Sequence, residues 1–197
     1  MEPILRDIPD SFETERLIIR VPRKGEGAAL QQAIAESLER LRPWFPWAQE
    51  AGTVEERETF IRQKIAQFLL KEDILLGFYS KEEGGKLLGG SGLHVRDWKV
   101  PAFEIGYWIR TGYEGKGYVS ELVEGVTRFG FEVVGANRIL IRCDVHNIRS
   151  QAVARRCGYV YEGTFRNFER RHHNGELTDM IYFAMTRSDY ETKQKIV

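Results

Sequence analysis

The sequence predicts a mixed α/β (α+β) fold, built on a mostly antiparallel central sheet of about seven strands flanked by about four helices. Three observations lead to this class. Most of the predicted strands are joined by hairpin turns, which make antiparallel neighbours. Only one strand–helix–strand unit is present, from Ala102 to Val145, so a doubly wound parallel sheet is disfavoured. Two segments near the start carry apolar residues at helical spacing, one after the other.

The elements follow in order. Glu15–Val21 (ERLIIRV) reads as a first strand, broken by Pro22 and Gly25. Gly27–Leu41 places Leu30, Ile34, Leu38 and Leu41 on one helical face. The run Pro43-Trp44-Phe45-Pro46-Trp47 is kept from being helical by its two prolines. Thr53 and Glu56 form a capping box that opens a second helix, with Phe60, Ile61, Ile65, Phe68 and Leu69 on one side. Ile74–Ser80 and Lys86–Arg96 are strands around the turn Glu83-Gly84-Gly85, and Ala102–Arg110 is the next strand. A glycine-rich loop, Thr111–Gly117, leads into a helix from Tyr118 to Val134 with an apolar stripe of Val119, Leu122, Val123, Val126 and Phe129. Asn137–Val145 is a strand. Asn147 caps a short helix that ends at Cys157, with Gly158 as its stop. Tyr159–Arg171 and Glu176–Arg187 are the last strands, joined around Asn174-Gly175.

With 197 residues, the chain is the size of one domain, and we take residues 1–197 as a single unit. Lys plus Arg equal Asp plus Glu at 29 each, so no global basic field exists to hold nucleic acid. No stretch approaches the length of a membrane span, and the first residues lack a signal-peptide apolar run. The two cysteines, Cys143 and Cys157, form neither a disulfide framework nor a zinc spacing, and both read as core residues. These features point to a cytoplasmic protein with no metal site. His172-His173 sits beside a turn with no third ligand in view.

The segment Glu114-Gly115-Lys116-Gly117-Tyr118-Val119-Ser120 lies between a strand and a helix. A helix start leaves backbone N–H groups unpaired, and the peptide dipoles place partial positive charge there. Glycines let a ligand approach such a backbone closely, which makes a pyrophosphate cradle with Lys116 adding charge to one side. Two other readings stand. The glycines serve the turn geometry alone, or Gly115-x-Gly117-x-x-Ser120 is a dinucleotide fingerprint lacking its third glycine, with Asp144 near the place of a ribose-binding acid.

ERLIIR (Glu15–Arg20), PWFPW (Pro43–Trp47), EIGYWI (Glu104–Ile109), EGKGYVSE (Glu114–Glu121) and the run from Asn147 through Ser150 to Cys157-Gly158-Tyr159 follow one another along nearly the whole chain. In this set and order the sequence resembles the GNAT acetyltransferase superfamily, and within it the RimJ/RimL-type ribosomal-protein N-terminal acetyltransferases. Glu114 and Val119 depart from that family's phosphate loop, which has Gln or Arg at the first place and Gly or Ala at the sixth. The resemblance implies acetyl-CoA as cosubstrate and a homodimer. It implies cofactor binding by Trp108, Ile109 and Arg110 at the strand end, by Glu114, Gly115, Lys116, Gly117, Tyr118, Val119 and Ser120 at the loop, and by Asn147 and Ser150. It also implies that the strand ending at Ile109 pairs with the pantetheine arm, and that it splays from the strand ending near Val145 to open a slot for the thioester. For Asn147 a plain helix cap is an equal reading.

Amine acetylation needs a neutral nucleophile and a proton for the departing thiolate. Deprotonation at pH 7 costs roughly 1 kcal/mol for an α-amine with a pKa of about 7.7–8.0, and about 4–5 kcal/mol for a lysine at about 10.4. One well-placed carboxylate therefore suffices for an α-amine. The candidate bases are Glu169 and Glu104, with Glu169 preferred because the resemblance puts a glutamate in its place; the bland reading of either is a surface carboxylate paired with an arginine such as Arg166 or Arg170. Many superfamily members use as acid a tyrosine at the place that Ala154 holds here. Ser150 is then the hydroxyl that the resemblance sets beside the sulfur, unless it merely occupies a favoured first-turn position. Three functions compete: acetylation of a protein amino terminus, ribosomal proteins foremost; acetylation of a small amine such as a polyamine or an aminated antibiotic; and non-catalytic sensing of acyl-CoA.

Overall fold

The computed structural model describes residues 2–196, and within them one eight-stranded sheet carries five α-helices. The strands are β1 (Ser11–Glu13), β2 (Leu17–Arg20), β3 (Ile74–Ser80), β4 (Lys86–Asp97), β5 (Ala102–Ile109), β6 (Arg138–Asp144), β7 (Val160–Arg170) and β8 (Leu177–Thr186). The helices are α1 (Gly27–Leu41), α2 (Val54–Leu69), α3 (Tyr118–Phe129), α4 (Ile148–Arg156) and α5 (Arg187–Ile196). Strand order is β1-β2-β3-β4-β5-β6-β8-β7, and every neighbouring pair is antiparallel except β5 and β6.

Local chemistry explains the boundaries. Thr53 and Glu56 exchange both bonds of the capping box at the start of α2. Gly84 and Gly85 take φ values of 61° and 82°, which the tight turn between β3 and β4 requires. Asn147 Oδ1 accepts the Ser150 N–H at 3.1 Å and so caps α4, and Gly158 follows its end with φ 84°. Three elements lie outside what the periodicity predicts. β1 is only three residues long, α5 is polar and lacks an apolar stripe, and Pro46–Ala48 forms a short 3-10 turn with Pro46 in the first position. The helix after the glycine loop also changes character, since α3 passes at Gly130 into a π turn that runs to Val134.

The sheet has two faces with different duties. Phe103 and Ile105 of β5 join Leu122, Val126 and Phe129 of α3 in the main buried cluster. The opposite face of β5 carries Glu104, Gly106 and Trp108, and Trp108 packs with Leu30 and Ala33 of α1. No helix of the described residues is long and apolar enough to cross a membrane.

Candidate active site

β5 and β6 pair over only three positions, from Ala102↔Arg138 to Glu104↔Leu140. Beyond Glu104 and Leu140 the two strands part, although each continues for several residues. The Arg110 N–H bonds the Leu88 carbonyl at 2.7 Å, so the even-numbered residues of β5 turn their backbone toward β4. The odd ones, Ile105, Tyr107 and Ile109, therefore turn theirs into the gap toward β6. This is an unpaired strand edge inside the sheet, ready to receive an extended ligand.

At the wide end of the gap lies the glycine loop. Gly112, Gly115 and Gly117 have φ of 92°, 75° and 84°, a left-handed backbone that explains why glycine stands there. Gly117 is the N-cap of α3, and no side chain caps that helix start. The first-turn N–H groups of Tyr118, Val119 and Ser120 thus face outward with the helix dipole behind them. Arg16 Nη1 bonds the Lys116 carbonyl at 3.0 Å, and its guanidinium stacks over the Tyr118 ring at 4.5 Å. Glu114 is turned away to Arg149 of α4, at 2.6 Å, so the acidic departure in this loop is met by a charge from the other side of the gap. The Ser120 hydroxyl accepts from Arg156 at 3.0 Å.

Two hydroxyls meet across the gap. Tyr107 Oη lies 2.9 Å from Ser150 Oγ and also donates to the Ser150 carbonyl at 3.2 Å. Burial pushes the Tyr107 phenol well above its ordinary value, partly offset by the Ser150 bond, so it stays a proton donor. Cys143 of β6 is buried beside them; burial pushes its thiol up to about 11, with the Ser150 contact working the other way. Ala154 is fully buried and bears no hydroxyl.

The two candidate bases share one partner. Arg142 Nε bonds Glu104 Oε1 at 3.0 Å, and its Nη1 bonds Glu169 Oε1. Glu104 is almost fully buried, and its second oxygen is taken by Arg96. Burial works against the Arg142 charge, but Glu104 and then Glu169 outweigh it and hold the guanidinium above its ordinary value. Glu169 reaches inward because β7 bulges: Phe165 pairs with Met180 and Glu169 with Thr178, so extra residues loop out around Asn167 at φ 51°. Neither carboxylate pairs with Arg166 or Arg170 among the described residues.

Of the predicted cofactor residues, Ile109 ends β5, Glu114–Ser120 form the loop and first turn of α3, and Asn147 and Ser150 open α4; Glu114 and Ser120 bond α4 through Arg149 and Arg156. Trp108 and Arg110 face elsewhere. Arg110 makes a bidentate bond with Glu36 of α1, 2.6 Å on each arm, and Trp108 meets Trp47 edge-on at 5.9 Å. Asp144 is held by Arg171 at 2.8 and 3.0 Å, and the sheet has one parallel pair, so the dinucleotide reading falls. Among the described residues no three His, Cys, Asp or Glu side chains cluster as for a metal. Sequence reasoning does not reach Tyr107 or Arg142. The signal for Tyr107 is its alternation with Ile105 on a strand that loses its neighbour; Arg142 carries none.

A mixed sheet with one parallel pair that splays beside a glycine-led, uncapped helix defines a class of group-transfer protein. The acetyltransferase (GNAT) domain model matches residues 16–160, and the chain belongs to that family of acetyltransferases. It is 29% identical over 178 residues to YdaF of Bacillus subtilis, provisionally assigned as a ribosomal N-acetyltransferase, covering 90% of this chain and 94% of that one. It is 23% identical to the Escherichia coli ribosomal protein uS5-alanine N-acetyltransferase, covering 90% and 91%. The solved structure of RimL, a ribosomal L7/L12 α-N-protein acetyltransferase in complex with coenzyme A, shares the fold at TM-score 0.81 and 22% identity, covering 91% of this chain and 97% of that one.

Proposed function

We propose that this protein transfers the acetyl group of acetyl-CoA to the α-amino group of a protein amino terminus, with ribosomal proteins as the foremost acceptors. The observation that carries the reading is the parting of β5 and β6 beside an uncapped α3. The open N–H groups of residues 117–120 suit a diphosphate, with Lys116 and Arg16 nearby. The free backbone of Tyr107 and Ile109 suits the amides of a pantetheine arm. Acetyl-CoA, when bound, supplies an acyl carbon activated by a thiolate leaving group.

The chain's own residues do the rest. Asn147 fixes the first turn of α4 and so places Ser150. Ser150 and Tyr107 hold hydroxyl hydrogens where a departing sulfur needs them. Glu169, which keeps one oxygen outside its Arg142 contact and has a side chain 42% exposed, receives the ammonium group of the acceptor, whereas Glu104 is locked between Arg96 and Arg142. The curated relatives named for ribosomal-protein acetylation support a protein acceptor. We read residues 1–197 as one catalytic unit that works in the cytoplasm. The exposed aromatic residues Tyr161, Phe165 and Phe168 on the edge strand β7 support a homodimer.

The test is thiol release from acetyl-CoA with peptides bearing a free or a blocked α-amine, and with polyamines, followed by mass spectrometry of the products. Acetylation of the free α-amine alone is the expected result. Acetylated polyamines with unmodified peptides would move the acceptor to small amines, and thiol release with none of them would favour a sensor.

A further inference from the structure

His94 Nδ1 lies 2.8 Å from Asp73 Oδ1, and the other oxygen of Asp73 holds Lys64 Nζ at 2.9 Å. Burial works against the Asp73 charge, but the bonds to His94 and Lys64 outweigh it and keep the carboxyl below its ordinary value. An ionised Asp73 puts the imidazole hydrogen on Nδ1 and leaves the Nε2 lone pair free. Nε2 has no protein hydrogen bond among the described residues. The ring lies over a floor without side chains: a Cβ on Gly92 would come within 2.5 Å of the ring, and one on Gly106 would stand 3.5 Å from Nε2. Nε2 therefore stands against the bare backbone of Gly106, with no side chain between them. Gly106 lies two residues past Glu104, the last β5 position paired with β6.

We propose that His94, oriented by Asp73, is the proton acceptor for the incoming amine; this rests on the acetyl-transfer reading above. The pattern is a base held in one tautomer by a third group. It places a lone pair from β4 over Gly106 of β5, just past the last position where β5 pairs with β6. Glu169 reaches the same face only from the edge strand β7, through Arg142. The acceptor arrives as an ammonium and gives its first proton to Nε2, which passes it to solvent. The neutral nitrogen then forms the new bond to the acyl carbon and gives its second proton to Nε2. The carbon–sulfur bond breaks with its electron pair on sulfur, which the Tyr107 and Ser150 hydroxyls hydrogen-bond until solvent protonates the thiolate. The second proton on His94 returns to solvent. The charged groups facing the imidazole are Asp73 from the segment after α2, Lys64 of α2, Glu104 opposite on β5, and Arg96 of β4, which holds Glu104.

The test compares kcat against pH for the wild type, His94→Gln, Asp73→Asn and Glu169→Gln with an α-amine peptide, alongside coenzyme A affinity by calorimetry. His94→Gln is expected to lose about 100-fold in kcat at neutral pH, to keep its coenzyme affinity, and to recover as alkali deprotonates the amine unaided. Asp73→Asn should lose less, and added imidazole should restore part of the turnover of His94→Ala. Wild-type turnover and pH profile in His94→Gln, with the acid limb lost in Glu169→Gln, would overturn the proposal and leave acetyl transfer standing. A wild type that binds coenzyme A yet acetylates no amine would overturn both.

Discussion

Tyr107 and Ser150 join their hydroxyls at 2.9 Å across the gap that opens where β5 leaves β6. One hydroxyl comes from the strand and the other from the first turn of α4, so the pair spans both walls of the slot. Ala154, at the place where the resemblance puts an acid tyrosine, is buried and bears no hydroxyl. In the proposed mechanism the hydroxyl pair serves in its stead.

Tyr107→Phe and Ser150→Ala are each expected to lower kcat by about 10- to 100-fold while coenzyme affinity changes little. Because each hydroxyl positions the other, the double variant should lose far less than the product of the two losses. A double-mutant cycle on kcat measures this, and independent, multiplying losses would separate the two groups.

Arg142 is the tie between Glu104 and Glu169. Arg142→Met should lower stability by about 1–3 kcal/mol, because Glu104 stays buried with only Arg96 left to face it. Urea unfolding reads the change directly. An unchanged midpoint would mean that solvent reaches Glu104.

Glu114 is neutralised by Arg149 at an exposed pair, worth little to stability. Its worth lies in the field at the helix start. Arg149→Ala should weaken coenzyme A binding about fivefold at low salt with a nearly unchanged melting temperature, and adding Glu114→Gln should restore it. Calorimetry at two salt concentrations checks both statements.

Asp73 contributes to the pH dependence of the fold in acid. Its carboxyl is held below its ordinary value, so it contributes stability above the unfolded value of about 3.9 and loses it as pH falls through the folded one. As pH falls from about 4 through the folded value, Asp73→Asn should therefore lose less stability than the wild type. Parallel curves would remove Asp73 from the acid limb.

Much of the scaffold is legible in the sequence because local rules agree with the fold there. The capping box at Thr53, the left-handed glycines at 84 and 85, and Asn147 before α4 each place an element boundary by chemistry internal to a few residues. β1 and α5 escape because they borrow their stability from neighbours: Phe12 stacks on Phe129 at 4.4 Å and Tyr190 on Phe131 at 4.7 Å. The site divides in the same way. The glycine loop and Ser150 stand out by spacing and resemblance. The roles of Glu104 and Glu169 depend on Arg142, a long-range partner with no local mark, and the β7 bulge that aims Glu169 follows from pairing with β8. His94 and Asp73 lie 21 residues apart and meet only in three dimensions.

The most direct measurement is an amide NMR titration of the protein with coenzyme A, wild type beside Gly117→Trp. The wild type should show its largest shifts at the amides of residues 117–120 and at Tyr107 and Ile109, and the variant should show none of them. Binding that leaves the start of α3 unmoved, or that survives a tryptophan at 117 with the same affinity, would contradict the placement of the coenzyme in this slot.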